Sequence, residues 1–571
     1  MFKYAIIISM NTYPLFTRRE ITDLDGIWKF RFISEEEAPA LKDFSPKGIV
    51  YDSIETVPGC FDATQQLAGK RGIGVYRRTF CITKSGRHIF SCGGFLLAAR
   101  VFIDGVEIGF TDQPYSKEAF EFEADAGEHE IIIACDNRFS ATPMWEPFYD
   151  FYAYGGIIRH TDIMDIPAGA IQRAAVFPLD LEGNVKVAIT FDSAVSDGDI
   201  ALSISFDGGD AITKTVKVSG GKAALELAVP NPTLWSTDAP NLHTIAVATE
   251  NDAIVERFGI RTLEAKNKEI LLNGKPVKLL GYNRHESDAD LGPALGPQQH
   301  LQDLKLLKEM NCNFIRGCHY PQHQGFLDLC DEMGFLVWEE ALSWGNKAEH
   351  LGDPIFSTKL VEATATMVRT SINHPSVILW GFLNESHSDT PESYPLIKKL
   401  SETIRENDPS RLVTFASNRY EKDICLEFAD VLSFNIYPGW YDVGMDLPYP
   451  LEPIEPWLER LCAITDQPKN AGKPLIVSEI GGAAIYGCHD RIGSQWTEEY
   501  QARLLRRICE DIVANDAIAG LALWMFADSR TYVCGQMRPR GFNNKGTLDE
   551  YRRPKLAFDD VKEVFGNYFS K

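Results

Sequence analysis

The sequence predicts a multidomain chain in which two β-sandwiches precede a C-terminal (β/α)8 barrel. Three observations carry that expectation. The 571 residues suggest about three to five domains at ~100–200 residues each. Roughly the first 260 residues read as short alternating strands with no long helical period. Beyond Arg261, strands alternate with helical stretches eight times over the last 309 residues, the count and size of a (β/α)8 barrel. A composition that is 44% hydrophobic and 11% aromatic can fill large cores, which argues against disorder.

The first unit, residues 1–168, carries runs such as Val101-Phe102-Ile103 and Glu130 to Cys135, and it ends near Pro167-Ala168-Gly169. Asp104-Gly105 is a hairpin signal. The second, residues 169–262, holds Val185 to Phe191 and a second hairpin signal at Asp207-Gly208, and its length suits an immunoglobulin-like sandwich. In the third, residues 263–571, the strand segments are Val277–Gly281, Phe314–Gly317, Phe335–Trp338, Val377–Phe382, Leu412–Ala416, Val431–Asn435, Leu475–Ser478 and Leu521–Phe526. Amphipathic helices such as Pro297–Met310 and Thr358–Ile372 lie between them. A doubly wound open sheet is the alternative. It normally carries a Gly-rich phosphate turn after its first strand, and here Tyr282-Asn283-Arg284-His285-Glu286 follows instead.

Charge excludes several function classes. With 57 Lys+Arg against 80 Asp+Glu the net charge is −23, which disfavours nucleic acid and anionic membrane surfaces. The apolar run Ala5 to Ile8 is too short for a signal peptide, Met10 offers an alternative start after residues 1–9, and no stretch of about 18 apolar residues predicts a membrane helix. Twelve irregularly spaced cysteines without a CxxC pair suit free thiols in a reducing compartment, so a cytoplasmic location is expected. Cys312, Cys318, His319 and His323 cluster in sequence, but Pro321 breaks the helical spacing a ligand pair would need. Neither a metal nor a cofactor is expected. GxSxG, HExxH and Walker A patterns do not occur.

In a barrel of this kind, chemistry sits just past the C-terminal ends of the strands. Read in order, those ends supply Asn283, Arg284, His285 and Glu286; Arg316 and His319; Glu339 and Glu340; Asn384 and Glu385; Asn435 and Tyr437; Glu479; then Trp524 and Asp528. A ring of carboxylates with Arg, Tyr and Trp suits a polyol, and paired carboxylates across a sugar ring are the apparatus of glycoside hydrolysis. A single Glu is usually a solvated surface charge. Glu385 and Glu479, however, follow the apolar runs Val377 to Leu383 and Pro474 to Val477, where an unpaired carboxylate is costly.

Asn373-His374-Pro375-Ser376-Val377-Ile378-Leu379-Trp380, running into Asn384-Glu385, resembles the signature of glycoside hydrolase family 2. Leu24-Asp25-Gly26-Ile27-Trp28, Leu234-Trp235-Ser236 and Arg316-Gly317-Cys318-His319-Tyr320-Pro321 resemble other landmarks of that family, and the likeness covers about residues 20–565. The resemblance implies an N-terminal jelly-roll β-sandwich, an immunoglobulin-like β-sandwich and a TIM barrel, a retaining mechanism, and a homo-oligomer, either dimer or tetramer. It makes Glu385 the acid/base and Glu479, in Ser478-Glu479-Ile480-Gly481, the nucleophile. Asn384 would bond the sugar 2-hydroxyl, Tyr437 would donate to Glu479, and Arg316 would hold Glu479 ionised. Glu385 would need a raised pKa, from partial burial and the Glu479 charge.

Asn543-Asn544-Lys545 resembles the Asn-x-Lys pair with which the family's β-glucuronidases bind the substrate carboxylate, and Lys, a compact charge with three donors, suits that task. Asn435, Tyr437 and Gly439-Trp440-Tyr441 resemble the same subgroup, with Tyr441 near the carboxylate. By the same resemblance Asp150 would reach from the jelly-roll to sugar hydroxyls, and His319 and Trp524 would complete the glycon pocket. The stretch Ala341 to Phe356 is short and lacks the long aglycone-covering loop of some of the family's glucuronidases, which leaves room for large or polymeric aglycones; the expected partners are β-glucuronide small molecules or oligosaccharides. β-Galacturonide, neutral β-galactoside or β-mannoside, and a non-catalytic carbohydrate-binding role are the alternatives.

Overall fold

The computed structural model describes residues 12–441, 451, 453–532 and 537–570. The apolar run at Ala5 to Ile8 and the start at Met10 lie outside the described residues.

The first sandwich pairs six antiparallel strands in the order Val106–Thr111, Ala98–Ile103, Gly127–Asp136, Gly72–Ile82, Gly26–Ser34 and Ser53–Val57. Against them lies a sheet of Glu118–Ala124, Gly86–Cys92, Thr161–Asp165 and Ile21–Asp23. Trp28, Tyr76, Ile131 and Ile133 meet Phe90 and Ile163 of the second sheet in one buried cluster. Ile132 and Ala134 point the other way, where Leu41 and Phe44 cover them, because successive residues of a strand face opposite sides. The Asp104-Gly105 hairpin forms with both residues at positive φ, 50° and 78°.

In the second sandwich, Ile171–Pro178, Asn184–Phe191 and Lys222–Ala228 face a five-stranded sheet of Leu15–Phe16, Ala253–Phe258, His243–Ala248, Gly198–Phe206 and Ile212–Val218. The strand Leu15–Phe16 corrects the reading of residues 1–168 as one unit. It pairs with Ile254 and Val255 of the second sandwich, and two residues are too few to show a period.

The barrel closes with eight parallel strands: β1 (Leu279–Arg284), β2 (Phe314–Gly317), β3 (Leu336–Glu340), β4 (Val377–Asn384), β5 (Leu412–Ser417), β6 (Leu432–Asn435), β7 (Leu475–Ile480) and β8 (Gly520–Leu523). Each expected strand is present. The last is shorter than expected: after Leu523 the chain leaves the wall, and Met525 N donates to Lys545 O at 3.0 Å. The helix expected over 358–372 is Pro354–Thr370. Asp353 caps it by accepting from Ile355 N and Phe356 N at 2.9 and 2.8 Å, with Pro354 in the first turn, a start signal legible in the sequence. No described helix is long and apolar enough to cross a membrane.

The domains are locked together through the family-like motifs. Trp235 is fully buried and donates from Nε1 to Asp331 O at 2.9 Å. Asn373 accepts from Val176 N at 2.8 Å and donates to Ala174 O at 2.9 Å, so it docks the barrel onto the edge of the second sandwich. Arg159 of the first sandwich donates to Glu286 Oε2 at 2.8 Å in a buried ion pair.

Candidate active site

At the C-terminal mouth of the barrel lies a cavity of about 390 Å³. It is built around Arg316, which is fully buried at the end of β2. Its guanidinium spans two carboxylates. Nη1 donates to Glu479 Oε1 at 2.8 Å, and Nε donates to Glu340 Oε1 at 2.8 Å. Nη1 also donates to Asn283 Oδ1 and Nη2 to Asn384 Oδ1, each at 2.9 Å. A planar fork with five donors can satisfy such a set, whereas a Lys could not.

Glu479, within β7, receives a second hydrogen bond from the Tyr437 hydroxyl to Oε2 at 2.7 Å. Burial raises its pKa above the ordinary carboxylate range, while Arg316 and the Tyr437 hydroxyl pull the other way. Desolvation is the larger influence on Glu479, and Arg316 is the cation that opposes it.

Glu385 follows β4 with φ 51°, a left-handed conformation that costs a non-glycine residue energy and is found at functional turns. Arg419 holds that turn by donating to Glu385 O at 3.1 Å and Ser386 O at 3.2 Å. Asn435 Nδ2 donates to Glu385 Oε1 at 2.9 Å and to Asn384 Oδ1 at 3.0 Å. Burial, and then the charge of Glu479, push the Glu385 pKa up to about 7. Two nearby carboxyl groups therefore differ in environment: one faces a fixed cation, the other a neutral amide. Asn384 accepts on Oδ1 from both sides, and its buried Nδ2 has no partner among the described residues. That leaves a donor for a ligand hydroxyl.

His319 stacks on Trp524 with ring centroids 5.3 Å apart. Its Nδ1 lies 3.0 Å from Glu340 Oε2 and 3.4 Å from Arg316 Nη2; the shorter contact, to the carboxylate, is taken to place the proton on Nδ1. Burial and Arg316 hold its pKa well below the usual range, so the ring is neutral and Nε2 is an acceptor. That Nε2 is buried, without a partner among the described residues, and 3.9 Å from Glu479 Oε1. His285, Cys318 and His319 offer atoms within 4.8 Å of one another. The fixed cation Arg316 stands beside this cluster, which disfavours a metal ion there.

Lys545 is 1% exposed. Its Nζ donates to the Tyr441 hydroxyl at 3.0 Å and lies 4.9–5.6 Å from the ring centroids of Tyr437, Trp440 and Tyr441. It has no carboxylate partner among the described residues. Burial first, then the charge of Arg538, lower its pKa to about 7. The loop that presents it is fixed from below: Lys555 Nζ donates to Asp528 Oδ1 at 2.8 Å and to Ala484 O at 2.7 Å. Gly546 passes so close to Asp528 that a Cβ there would lie 2.3 Å from the Asp528 nitrogen.

The chain matches "Glycosyl hydrolases family 2, TIM barrel domain" over residues 263–568 and "Glycosyl hydrolases family 2" over residues 172–261. It belongs to glycosyl hydrolases family 2. A β-glucuronidase from Paenibacillus borealis is 28% identical over 597 aligned residues, covering 96% of this chain and 97% of that one. The structure of a β-galacturonidase from Eisenbergiella tayi bound to galacturonate superposes with a TM-score of 0.87 at 29% identity, covering 98% and 99% of the two chains. A β-glucuronidase from Bifidobacterium dentium complexed with coumarin-3-O-glucuronide gives a TM-score of 0.84 at 26% identity, covering 96% and 97%. The protein is thus a glycoside hydrolase.

Against this family-2 framework, Glu385, Glu479, Asn435, Tyr437, Tyr441, His319, Trp524, Lys545 and Asp150 all line the cavity. Arg316 and Asn384 stand directly behind it. Two expectations change. Asp150 reaches the mouth, but its carboxylate is already occupied by Arg538 Nε at 2.9 and 3.0 Å, by Thr531 Oγ1 at 2.9 Å and by Asn543 Nδ2 at 3.2 Å. Asn543 is turned toward Asp150 and accepts from Lys545 N at 3.3 Å, so it supports the lysine from behind. Asp528 is absorbed by Lys555. Arg538, Trp344, Asn418, Tyr420 and Trp457 also line the cavity and were not anticipated. Asn418 and Tyr420 follow β5, so the strand-end rule that found the others reaches them too. Trp344 lies in the stretch after Glu340, where no sequence motif marks it.

Proposed function

We propose that this family-2 hydrolase is an exo-acting, retaining β-uronidase, with β-D-glucuronides of small aglycones or oligosaccharides as its preferred substrates. One observation carries the uronide: the buried Lys545 ammonium in the glycon pocket has no counter-ion among the described residues. A buried cation is stable only when paired, and a sugar carboxylate supplies the pair. The protein's mean field repels an anion, but exposed charges beyond ~10 Å are largely screened at 0.1 M salt, so recognition is local.

Glu479 attacks the anomeric carbon while Glu385 gives its proton to the departing glycosidic oxygen. The aglycone leaves, and the sugar stays esterified to Glu479. Glu385, now ionised, takes a proton from water, which attacks the anomeric carbon and frees Glu479. Asn384 Nδ2 donates to the 2-hydroxyl, and His319 Nε2 accepts from another hydroxyl. Glu340 acts through its neighbours: it fixes the His319 tautomer and shares the Arg316 charge with Glu479. Trp344, Tyr420 and Trp457 give the mouth an aromatic surface for the aglycone. The eleven unpaired cysteines described suit a reducing compartment, and a cytoplasmic location is part of this reading.

β-Galacturonide is the second reading, favoured by the 29% identity to the Eisenbergiella tayi enzyme over nearly the whole chain. Both sugars present the same carboxylate to Lys545 and differ at C4. A panel of nitrophenyl β-glucuronide, β-galacturonide, β-galactoside and β-mannoside separates them. The glucuronide should give the highest kcat/KM. A higher value for the galacturonide overturns the sugar assignment, and a higher value for either neutral glycoside overturns the uronide reading. Turnover of none, with binding retained, would favour a non-catalytic carbohydrate-binding protein.

A further inference from the structure

A second cavity, of about 330 Å³, opens at the opposite end of β4, where the two sandwiches meet the barrel. Lys117 reaches it from the first sandwich, Arg173 and Arg257 from the second, and Arg369 and His374 from the barrel. Two of these cations already have partners. Arg257 donates to Asp328 Oδ1 at 2.6 Å and to Glu332 Oε1 at 2.5 Å, and His374 Nδ1 lies 2.6 Å from Asp331 Oδ2.

The other three do not. Arg173 makes a long hydrogen bond to the backbone oxygen of Arg369 at 3.4 Å, and Arg369 donates to Thr366 Oγ1 at 3.2 Å. Neither these two nor Lys117 forms an ion pair among the described residues. The remaining carboxyl in the wall, Glu256, is buried and pushed up to about 7 by that burial, against the charges of His374, Lys117 and Arg173, so it offsets the three bases only in part. Burial and the like charge of Arg369 both disfavour the charged form of Arg173. Composition makes the arrangement more pointed. In a chain with 80 acidic and 57 basic residues, three bases converge on one cavity, and none of them forms an ion pair among the described residues. Guanidinium forks bind oxyanions bidentately, and a cavity of this volume admits a small molecule.

We propose that this cavity binds a small, multiply charged oxyanion of the phosphate class, held by Lys117, Arg173 and Arg369, and that the anion ties the three domains together.

The test is thermal unfolding of the full chain titrated with inorganic pyrophosphate, at ionic strength held constant with NaCl. Wild type should show a saturable rise in Tm, because a ligand that binds only the folded state stabilises it. Lys117→Ala, an exposed change that leaves the core alone, and Arg173→Ala with Arg369→Ala should each weaken the midpoint about tenfold or more, as expected for lost charge-assisted hydrogen bonds. Lys545→Ala should keep the full response. An unsaturable rise that NaCl reproduces would overturn the proposal, as would an unchanged midpoint in Lys117→Ala. Loss of the response in Lys545→Ala would place the anion in the sugar pocket instead. Citrate, a tricarboxylate whose charge at neutral pH is close to that of pyrophosphate, should bind more weakly than pyrophosphate, and the reverse order would reject the phosphate class.

Discussion

On the proposed reading, replacing Lys545 by Ala removes the buried cation that binds the substrate carboxylate, one without an ion-pair partner among the described residues. A hydrogen bond to a charged group contributes ~1.5–3 kcal/mol, so kcat/KM on a nitrophenyl β-glucuronide should fall about 10- to 100-fold. The matching neutral glucoside never uses that charge. Its kcat/KM should change by less than about threefold, or rise, because the variant no longer buries an unpaired ammonium. The pH dependence sharpens the test. In the empty pocket Lys545 is lowered to about 7 and Glu385 raised to about 7. Both must be protonated when a uronide binds and reacts, so both contributions are lost as pH rises through that region. The basic limb of log kcat/KM, which reports the free enzyme, should approach a slope of about −2 for the glucuronide and about −1 for the glucoside. In Lys545→Ala both substrates should show about −1. Equal losses on the two substrates, or parallel basic limbs in wild type, would refute the role given to Lys545.

Glu385→Gln cannot protonate a leaving group. It should lose most of its activity on nitrophenyl glucuronide and retain much more on a dinitrophenyl glucuronide that needs no acid, and its basic limb near pH 7 should fall from a slope of about −2 to about −1, the part that belongs to Lys545; a limb that keeps the steeper slope would place the acid elsewhere. Glu340→Gln removes a negative charge that raises the Glu479 pKa. The group that must be ionised then titrates lower, so the acidic limb should move to lower pH. An unmoved limb would leave Glu340 a purely structural residue.

Much of this was legible in the sequence because the barrel writes its site at strand ends. Glu385 and Glu479 stood out as acids following apolar runs, and each run is a buried strand, β4 and β7. The motif beginning at Asn373 was equally visible, but its residues divide by task. Asn373 docks the barrel on the second sandwich, His374 is bound to Asp331 and Gln324 inside the barrel, and only Asn384 and Glu385 stand at the site. Less was visible where a residue's partner lies far along the chain. Asp150 and Arg538 meet across 388 positions, and no spacing reports such a pair. The positive φ of Glu385 and the tautomer of His319 depend on Arg419 and Glu340, which touch them only in the fold. The three cations of the interdomain cavity come from three domains, and in sequence each is an ordinary surface base.

The most direct test of the central claim is to trap the intermediate. The protein is incubated with an activated 2-deoxy-2-fluoro-β-glucuronide, which slows breakdown of a glycosyl-enzyme ester, and then digested and sequenced by mass spectrometry. The account predicts a single stable adduct carried by Glu479, formed with matching loss of activity. An adduct on another residue, or inactivation without any covalent sugar, would contradict it.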